Sequence, residues 1–382
     1  MRLLLVNAHG APDGGTETVL AELATGLLAM GVEVSFLQAF PPAGLVDGVQ
    51  VTVLHDVHWR ESEVRRLKNH IGDVVSWPAH RFEKVLEAEA PDVVHTHNLP
   101  GIGSGIWEAA RRRGLPVVHT LHDYHLLCPR TTLMRLDGDA CRPHPLLCGL
   151  RTRRLGRYAG AVKIVTAVSQ YLHDVHEPFF AGIDQRVIRN PLRAPSGDPE
   201  PPGTSLRRIG YVGALHPNKG VDVLLHALPA LEARGLVLRI AGRGVLEEAV
   251  ARAAATSAAI GHVGFVTGEA KARFLAGCDL GIVPSVWREP GGPNLAMAEW
   301  LAARRPVLVS RRGGLAEVAG TYPGSVEIEP TVDDILRAVD LLLDQDTWAA
   351  AVQDARDLDA DGASRHWADE YLAVYQELHE SR

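Results

Sequence analysis

The sequence predicts an α/β protein of two domains, each a parallel sheet covered by helices on both faces. Three observations carry this. Short, wholly apolar segments alternate with segments of helical apolar spacing, as in buried parallel strands joined by crossover helices. Residues 194–205, APSGDPEPPGTS, are too rich in Pro and Gly to form a core, and read as a linker. The same alternation then restarts. A length of 382 residues also exceeds what one hydrophobic core usually serves.

In the first half Leu3–Val6 reads as a buried strand. Thr16–Met30 has apolar residues at helical spacing and Gly31 as its stop. Strands follow at Val32–Leu37, Val93–His95, Val117–Thr120 and Lys163–Val168, with a helix at Ile106–Arg113. In the second half Arg208–Val212, Val237–Ala241, Leu280–Pro284 and Val307–Ser310 read as strands. Val221–Ala233, Leu246–Ala255 and Leu295–Ala303 read as helices, and Ser364–His379 as a closing helix. The boundaries expected are 1–193, a linker at 194–205, 206–363, and a terminal helix in 364–382. Each half is Rossmann-like. Two such halves facing each other across a cleft would hold ligands at the carboxyl ends of their strands.

Composition narrows the function classes. The chain is 46% hydrophobic and 22% charged, with a net charge of −7. A mildly acidic chain argues against nucleic-acid binding, which leaves a strongly basic footprint. Only five of its cations are lysines. The first apolar run, in MRLLLVNAHG, is too short for a signal peptide, and no stretch has the length of a transmembrane helix. Four cysteines suggest no disulfide framework. A cytoplasmic location is the expectation.

Candidate ligand-binding residues lie where strands end. Asp13-Gly14-Gly15-Thr16 follows the first strand and opens a helix. Glycines there let backbone approach a ligand, and a helix N-terminus favours negative charge, although a plain strand-to-helix turn reads the same. His122 and Asp123 follow the strand at 117–120, and His95 and His97 follow its neighbour in HTHN. A histidine so placed can donate to a sugar hydroxyl or a phosphate, or serve only the structure. In the second half Gly213–Gly220, GALHPNKG, presents Lys219, whose ammonium suits a diphosphate. The densest segment is VPSVWREPGGPNLAMAEWLA, Val283–Ala302. It brackets Gly291, Gly292, Pro293, Asn294 and Leu295 with Glu289 and Glu299. Such a loop can aim N–H groups at a phosphate, and a carboxylate on the following helix can accept from ribose hydroxyls. Gly313-Gly314 and Glu317 come next.

With these segments in view, the chain resembles the retaining glycosyltransferases of the GT-B fold, called family 4 or group 1. The resemblance runs through the early glycine pair, DVVHTHN, TLHDY, VSQYL at Val168–Leu172, VIRNP at Val187–Pro191, GALHPNKG, PSVWREPGG…AEWLA and VLVSRRGGLAEV. It implies that Lys219 grips the donor diphosphate, with Gly213 beside it. It implies that Glu299 holds the ribose, that Glu289 lies near the donor sugar, and that the loop Gly291–Leu295 lines the donor. Gly14 and Gly15 match the loop approaching phosphate and sugar, and His122 the histidine facing the transferred sugar. The family's two glutamates usually lie eight residues apart, against ten here. Ala214 stands where the family often has an arginine, a charge that Arg243 in the AGRG turn is placed to replace.

The implied reaction moves a sugar from a nucleoside diphosphate sugar, UDP first among donors, to an acceptor hydroxyl with retention of anomeric configuration. No cofactor and no metal are implied. The acceptor is open among a small natural product, a saccharide and a lipid-linked sugar. A nucleotide-sugar 2-epimerase of the same fold and an inactive partner subunit are the alternatives. Cys128, Cys141, His144 and Cys148 have the residue types of a zinc site, or are free thiols in a loop. Asp137-Gly138-Asp139 reads as a turn. The clusters Arg111–Arg113 and Arg151–Arg157 suit an acidic acceptor or peripheral contact with an anionic membrane, or form solvated faces.

Overall fold

The computed structural model describes residues 1–10, 15–41, 44–55, 78–135, 141, 146–192, 202–359 and 366–381. The chain forms two compact units. The first joins Met1–Arg189 with His366–Arg382, and the second is Asn190–Arg365.

Unit 1 holds strands β1 (Arg2–Asn7), β2 (Glu33–Gln38), β3 (Gln50–Val53), β4 (Val93–Thr96), β5 (Val117–Leu121), β6 (Ile164–Ala167) and β7 (Asp184–Val187). Its helices are α1 (Gly15–Ala29), α2 (His80–Glu89), α3 (Gly105–Arg112), α4 (Leu146–Gly156) and α5 (Gln170–His176). The sheet is parallel, in the order β3-β2-β1-β4-β5-β6-β7. Every residue of β1 from Leu3 to Asn7 is buried, as a central strand covered on both faces requires.

Unit 2 holds β8 (Arg208–Val212), α6 (Val221–Glu232), β9 (Val237–Ala241), α7 (Glu247–Thr256), β10 (Ile260–His262), α8 (Gly268–Ala276), β11 (Leu280–Val283), α9 (Leu295–Ala302), β12 (Val307–Ser310), β13 (Ser325–Ile328), α10 (Val332–Leu342) and α11 (Gln345–Asp357). Its sheet is also parallel, ordered β10-β9-β8-β11-β12-β13. Gly203, in the segment expected as linker, accepts a 2.9 Å bond at its carbonyl from Trp348 Nε1 of α11. Residues 194–201 of that segment lie outside the described residues.

The terminal helix, α12 (Trp367–Glu380), belongs to unit 1. Its Tyr375 hydroxyl lies 2.7 Å from His95 Nδ1, and its Tyr371 hydroxyl 3.3 Å from Thr120 Oγ1. The chain's last helix thus fixes side chains at the ends of β4 and β5. Among the described residues no helix is long and apolar enough to cross a membrane.

Candidate functional site

In each sheet the strand order reverses once, at β1/β4 in unit 1 and at β8/β11 in unit 2. The loops that leave such neighbours on opposite faces open a crevice at the carboxyl edge, where open α/β sheets bind ligands. Most of the predicted residues lie on these loops.

In unit 2 the loop after β8 leads through the short 3-10 turn Pro217–Lys219, and the loop after β11 carries Ser285 to Glu289. The two loops touch. Trp287 N–H donates to the Asn218 carbonyl at 3.1 Å. Gly220, at φ +74°, passes so close to Pro284 that a Cβ would stand 2.0 Å from its carbonyl oxygen. Only glycine allows that approach. It brings Lys219 Nζ to 2.7 Å from Glu289 Oε1, an oxygen that also accepts from Ser285 Oγ at 2.5 Å. Lys219 Nζ lies 4.8 Å from the centre of the Trp287 ring, within cation–π range. Glu289 is only 3% exposed, while Lys219 keeps part of its surface in solvent. The pair is thus a cation presented from a buried anchor.

Residues 290–293 form a loop with a cis peptide at Gly292–Pro293. The Glu289 carbonyl accepts from Gly314 N–H at 2.7 Å, which ties this loop to the one after β12. A Cβ on Gly292 would stand 2.1 Å from the Gly314 carbonyl oxygen. Asn294 then caps α9, its side chain accepting from Met297 N–H at 2.9 Å. Leu295 opens that helix, and Gly291 is buried in the loop. Buried Trp300 packs against Phe274 of α8 at a ring distance of 6.2 Å and seats α9 in the core.

Glu299, next to Trp300, is bonded to Lys271 Nζ at 2.6 Å rather than to Lys219. The sequence reading missed Lys271. Its rarity was the signal, since Lys219 and Lys271 are the only lysines after residue 190 and each holds one of the two glutamates. Arg243 stacks its guanidinium 4.3 Å from the Phe265 ring centre. Gly213 lies just past β8, at φ +154°. Beside it the Tyr211 hydroxyl donates to the Ala214 carbonyl at 2.7 Å, and burial near Glu289 raises the pKa of that phenol.

In unit 1 the crevice is lined with histidine. His97 Nδ1 lies 2.9 Å from His122 Nε2, and His95 Nε2 lies 2.7 Å from Thr120 Oγ1. A small pocket is bordered by His97, Asn98, His122, Asp123, His125 and Leu126. Burial holds His122 down to about 3, so at neutral pH its imidazole is uncharged. His97 is also held well below the ordinary value, by burial and by the neighbouring imidazoles His95, His122 and His119. With Nε2 engaged by His97, Nδ1 of His122 is the nitrogen left to a ligand. Asp123 is pushed up to about 6 by burial, with Glu17 adding to the rise and the His125 N–H bond opposing it. Glu17 stands in the first turn of α1 and accepts from Asn7 Nδ2 at 3.2 Å. Neither the His97 contact nor Glu17 was legible from spacing. Gly15 opens α1, whereas Asp13 and Gly14 lie outside the described residues.

Cys128, Cys141 and Cys148 are free thiols. Burial raises Cys148, and the Cys128 and Cys141 sulfurs add to it. Among the described residues no three of His, Cys, Asp or Glu form a group that could hold a metal ion. His144 and Asp137–Asp139 lie outside them.

Comparison with known proteins bears on the family and the fold. Residues 13–193 match the family described as Glycosyltransferase Family 4, and residues 207–345 the one described as Glycosyl transferases group 1. An uncharacterized 42.6 kDa protein in the cps region of Klebsiella pneumoniae is 24% identical, over 87% of this chain and 91% of that protein. A D-inositol 3-phosphate glycosyltransferase of Thermomonospora curvata is 27% identical, over 79% of this chain and 72% of its own length. Among solved structures, a sucrose-phosphate synthase of Thermosynechococcus elongatus superposes with a TM-score of 0.76 at 17% identity over all of both chains. The Anabaena HepE protein, solved with UDP, gives 0.70 at 17% identity over 99% of this chain and all of that one. The chain belongs to the group 1, family 4 glycosyltransferases and has their GT-B fold of two Rossmann-like domains.

Proposed function

We propose that this glycosyltransferase uses a nucleoside diphosphate sugar, with UDP as the base-bearing half, and transfers the sugar to an acceptor hydroxyl with retention. The Lys219–Glu289 pair at the β8/β11 reversal supports this reading most directly. It presents one partly exposed ammonium where a diphosphate would sit. UDP in the HepE structure supports the choice of base.

On this reading the bond from the anomeric carbon to the diphosphate breaks as the bond to the acceptor oxygen forms. The acceptor's proton passes to the departing diphosphate on the same face, so no protein nucleophile is needed. Lys219 and the N-terminus of α9 offset the developing charge on the leaving group. Glu299 holds the ribose, Glu289 fixes Lys219 beside the donor sugar, and neutral His122 donates to a sugar hydroxyl. No metal takes part. Full activity in excess chelator is the expected result, and loss restored by a divalent ion would overturn that part.

Thermal shifts with a panel of nucleoside diphosphates and their sugars test the donor site. A ligand at about 100 times its dissociation constant stabilises the folded state by about 2.7 kcal/mol. The expected result is a shift with UDP that Lys219→Ala removes. No shift with any nucleotide would overturn the donor assignment. Acceptor-free conversion of the donor to its 2-epimer would replace transfer with epimerisation.

A further inference from the structure

The two basic clusters of the first half have different fates. Arg111–Arg113 are all paired. Arg111 and Arg112 bond Glu108 at 2.7 and 2.9 Å, and Arg113 bonds Glu87 at 3.1 Å. The cluster on α4 and just past its end is not. Arg151 is buried and donates to the His125 carbonyl at 2.6 Å. Arg153, Arg154 and Arg157 are exposed and have no carboxylate partner among the described residues. Residues 140–173 contain no Asp or Glu at all, in a chain whose net charge is −7.

The same face of α4 exposes large apolar side chains. Leu146, Leu147 and Leu150 are 80%, 78% and 54% exposed. Residues 146, 150 and 153 follow one another at helical i+4 and i+3 steps, so Leu146, Leu150 and Arg153 share one stripe, flanked by Leu147 and Arg154, and Arg157 stands exposed just past the helix end. The opposite face holds Arg151, Thr152 and Leu155 against the unit. Leucines continued by arginines that have no carboxylate partner among the described residues, along one exposed helix face and its end, are the pattern of a helix lying in a lipid interface. Its excess positive charge selects anionic headgroups.

We propose that the exposed face of α4 docks on an anionic lipid bilayer, with Leu146, Leu147 and Leu150 in the interface and Arg153, Arg154 and, just past the helix end, Arg157 against the headgroups. The helix is bolted to the segment that follows β5. Arg151 binds His125, and Thr152 Oγ1 donates to the Leu126 and Leu127 carbonyls at 3.2 and 3.3 Å. Docking would therefore seat the His122 loop of unit 1 near the membrane surface. It requires nothing of the donor site and stands apart from the proposal made for that site.

Co-sedimentation of the full chain with vesicles tests this. Vesicles of equal parts phosphatidylglycerol and phosphatidylcholine should bind it, and vesicles of phosphatidylcholine alone should bind far less. Changing Arg153, Arg154 and Arg157 together to Gln should weaken binding roughly a hundredfold. Changing the three leucines to Ser should abolish it. All six side chains are exposed, so both variants should melt with the wild type, and Arg111→Gln, at a paired cation, should bind normally. Failure to bind phosphatidylglycerol vesicles, or binding indifferent to both triple variants, overturns the proposal. So does concentration-dependent self-association abolished by the leucine changes without vesicle binding, which would make a second copy the occupant.

Discussion

Lys219 Nζ and Glu289 Oε1 lie 2.7 Å apart, joining the loops after β8 and β11 where the strand order of unit 2 reverses. Glu289 is buried and Lys219 partly open, so the carboxylate holds the ammonium in place. Under the proposed function Lys219→Ala should lower kcat/KM by about 10²–10³. Lys219→Arg should recover little, because a planar guanidinium does not reproduce a point charge over the Trp287 ring. Glu289→Gln keeps the shape and should cost less than Lys219→Ala. Steady-state kinetics on the three variants decide it, and a Lys219→Ala enzyme with wild-type kcat/KM would remove the lysine from the reaction.

The Lys271–Glu299 bond of 2.6 Å leads to a second expectation. If Glu299 accepts from a ribose hydroxyl, Glu299→Ala should raise the donor KM by roughly tenfold or more, the worth of a hydrogen bond to a charged group. The same change should cost almost nothing with donors lacking the 2′- or 3′-hydroxyl. Lys271→Ala, which frees the carboxylate, should show the same donor dependence more weakly. Equal penalties with the ribose and deoxyribose donors would assign Glu299 to packing.

Much of this arrangement was legible in the sequence, and what was missed has physical reasons. Central strands such as Leu3–Val6 and Val307–Ser310 are buried on both faces and so read as unbroken apolar runs. The edge strands Gln50–Val53, Asp184–Val187, Ile260–His262 and Ser325–Ile328 were missed, because each is only part-buried and its composition is mixed. Glycine-rich loops and the paired glutamates stood out by residue type. Their partners Lys271 and His97 did not, because an ion pair between α8 and α9, or a contact between the ends of β4 and β5, exists only once the chain is folded.

His97 should act as a positioning residue for His122. The two imidazoles meet at 2.9 Å, and His97 Nε2 is buried with no hydrogen-bond partner among the described residues. Removing His97 frees the His122 ring to rotate, and a small misplacement of a catalytic group costs up to about a hundredfold in rate. His97→Ala should therefore lower kcat by about ten- to a hundredfold while leaving the UDP thermal shift unchanged. His97→Asn, which keeps a donor and an acceptor, should recover part of the loss. Equal kcat values for the Ala and Asn variants would show that His97 only fills space.

The buried histidines should make unit 1 acid-sensitive. Burial holds His119 and His122 down to about 3 and His176 to about 4, and His95 well below the ordinary value. In the unfolded chain each titrates near 6.5, so below that pH the unfolded state binds more protons and stability falls. The loss should approach about 1.4 kcal/mol per pH unit for each histidine down to the folded pKa. Asp123 works the other way. Its folded pKa of about 6 lies above the unfolded carboxyl value, so it gains stability as pH falls through that window. One carboxyl cannot offset the several imidazoles, and the melting temperature should drop steeply between about pH 6.5 and about pH 5. His176, which lies outside the proposed site and bonds the Leu172 carbonyl at 3.0 Å, offers the clean test. His176→Gln should flatten the slope by up to one histidine's share without changing the nucleotide response, and a melting temperature indifferent to pH in the wild type would refute the account.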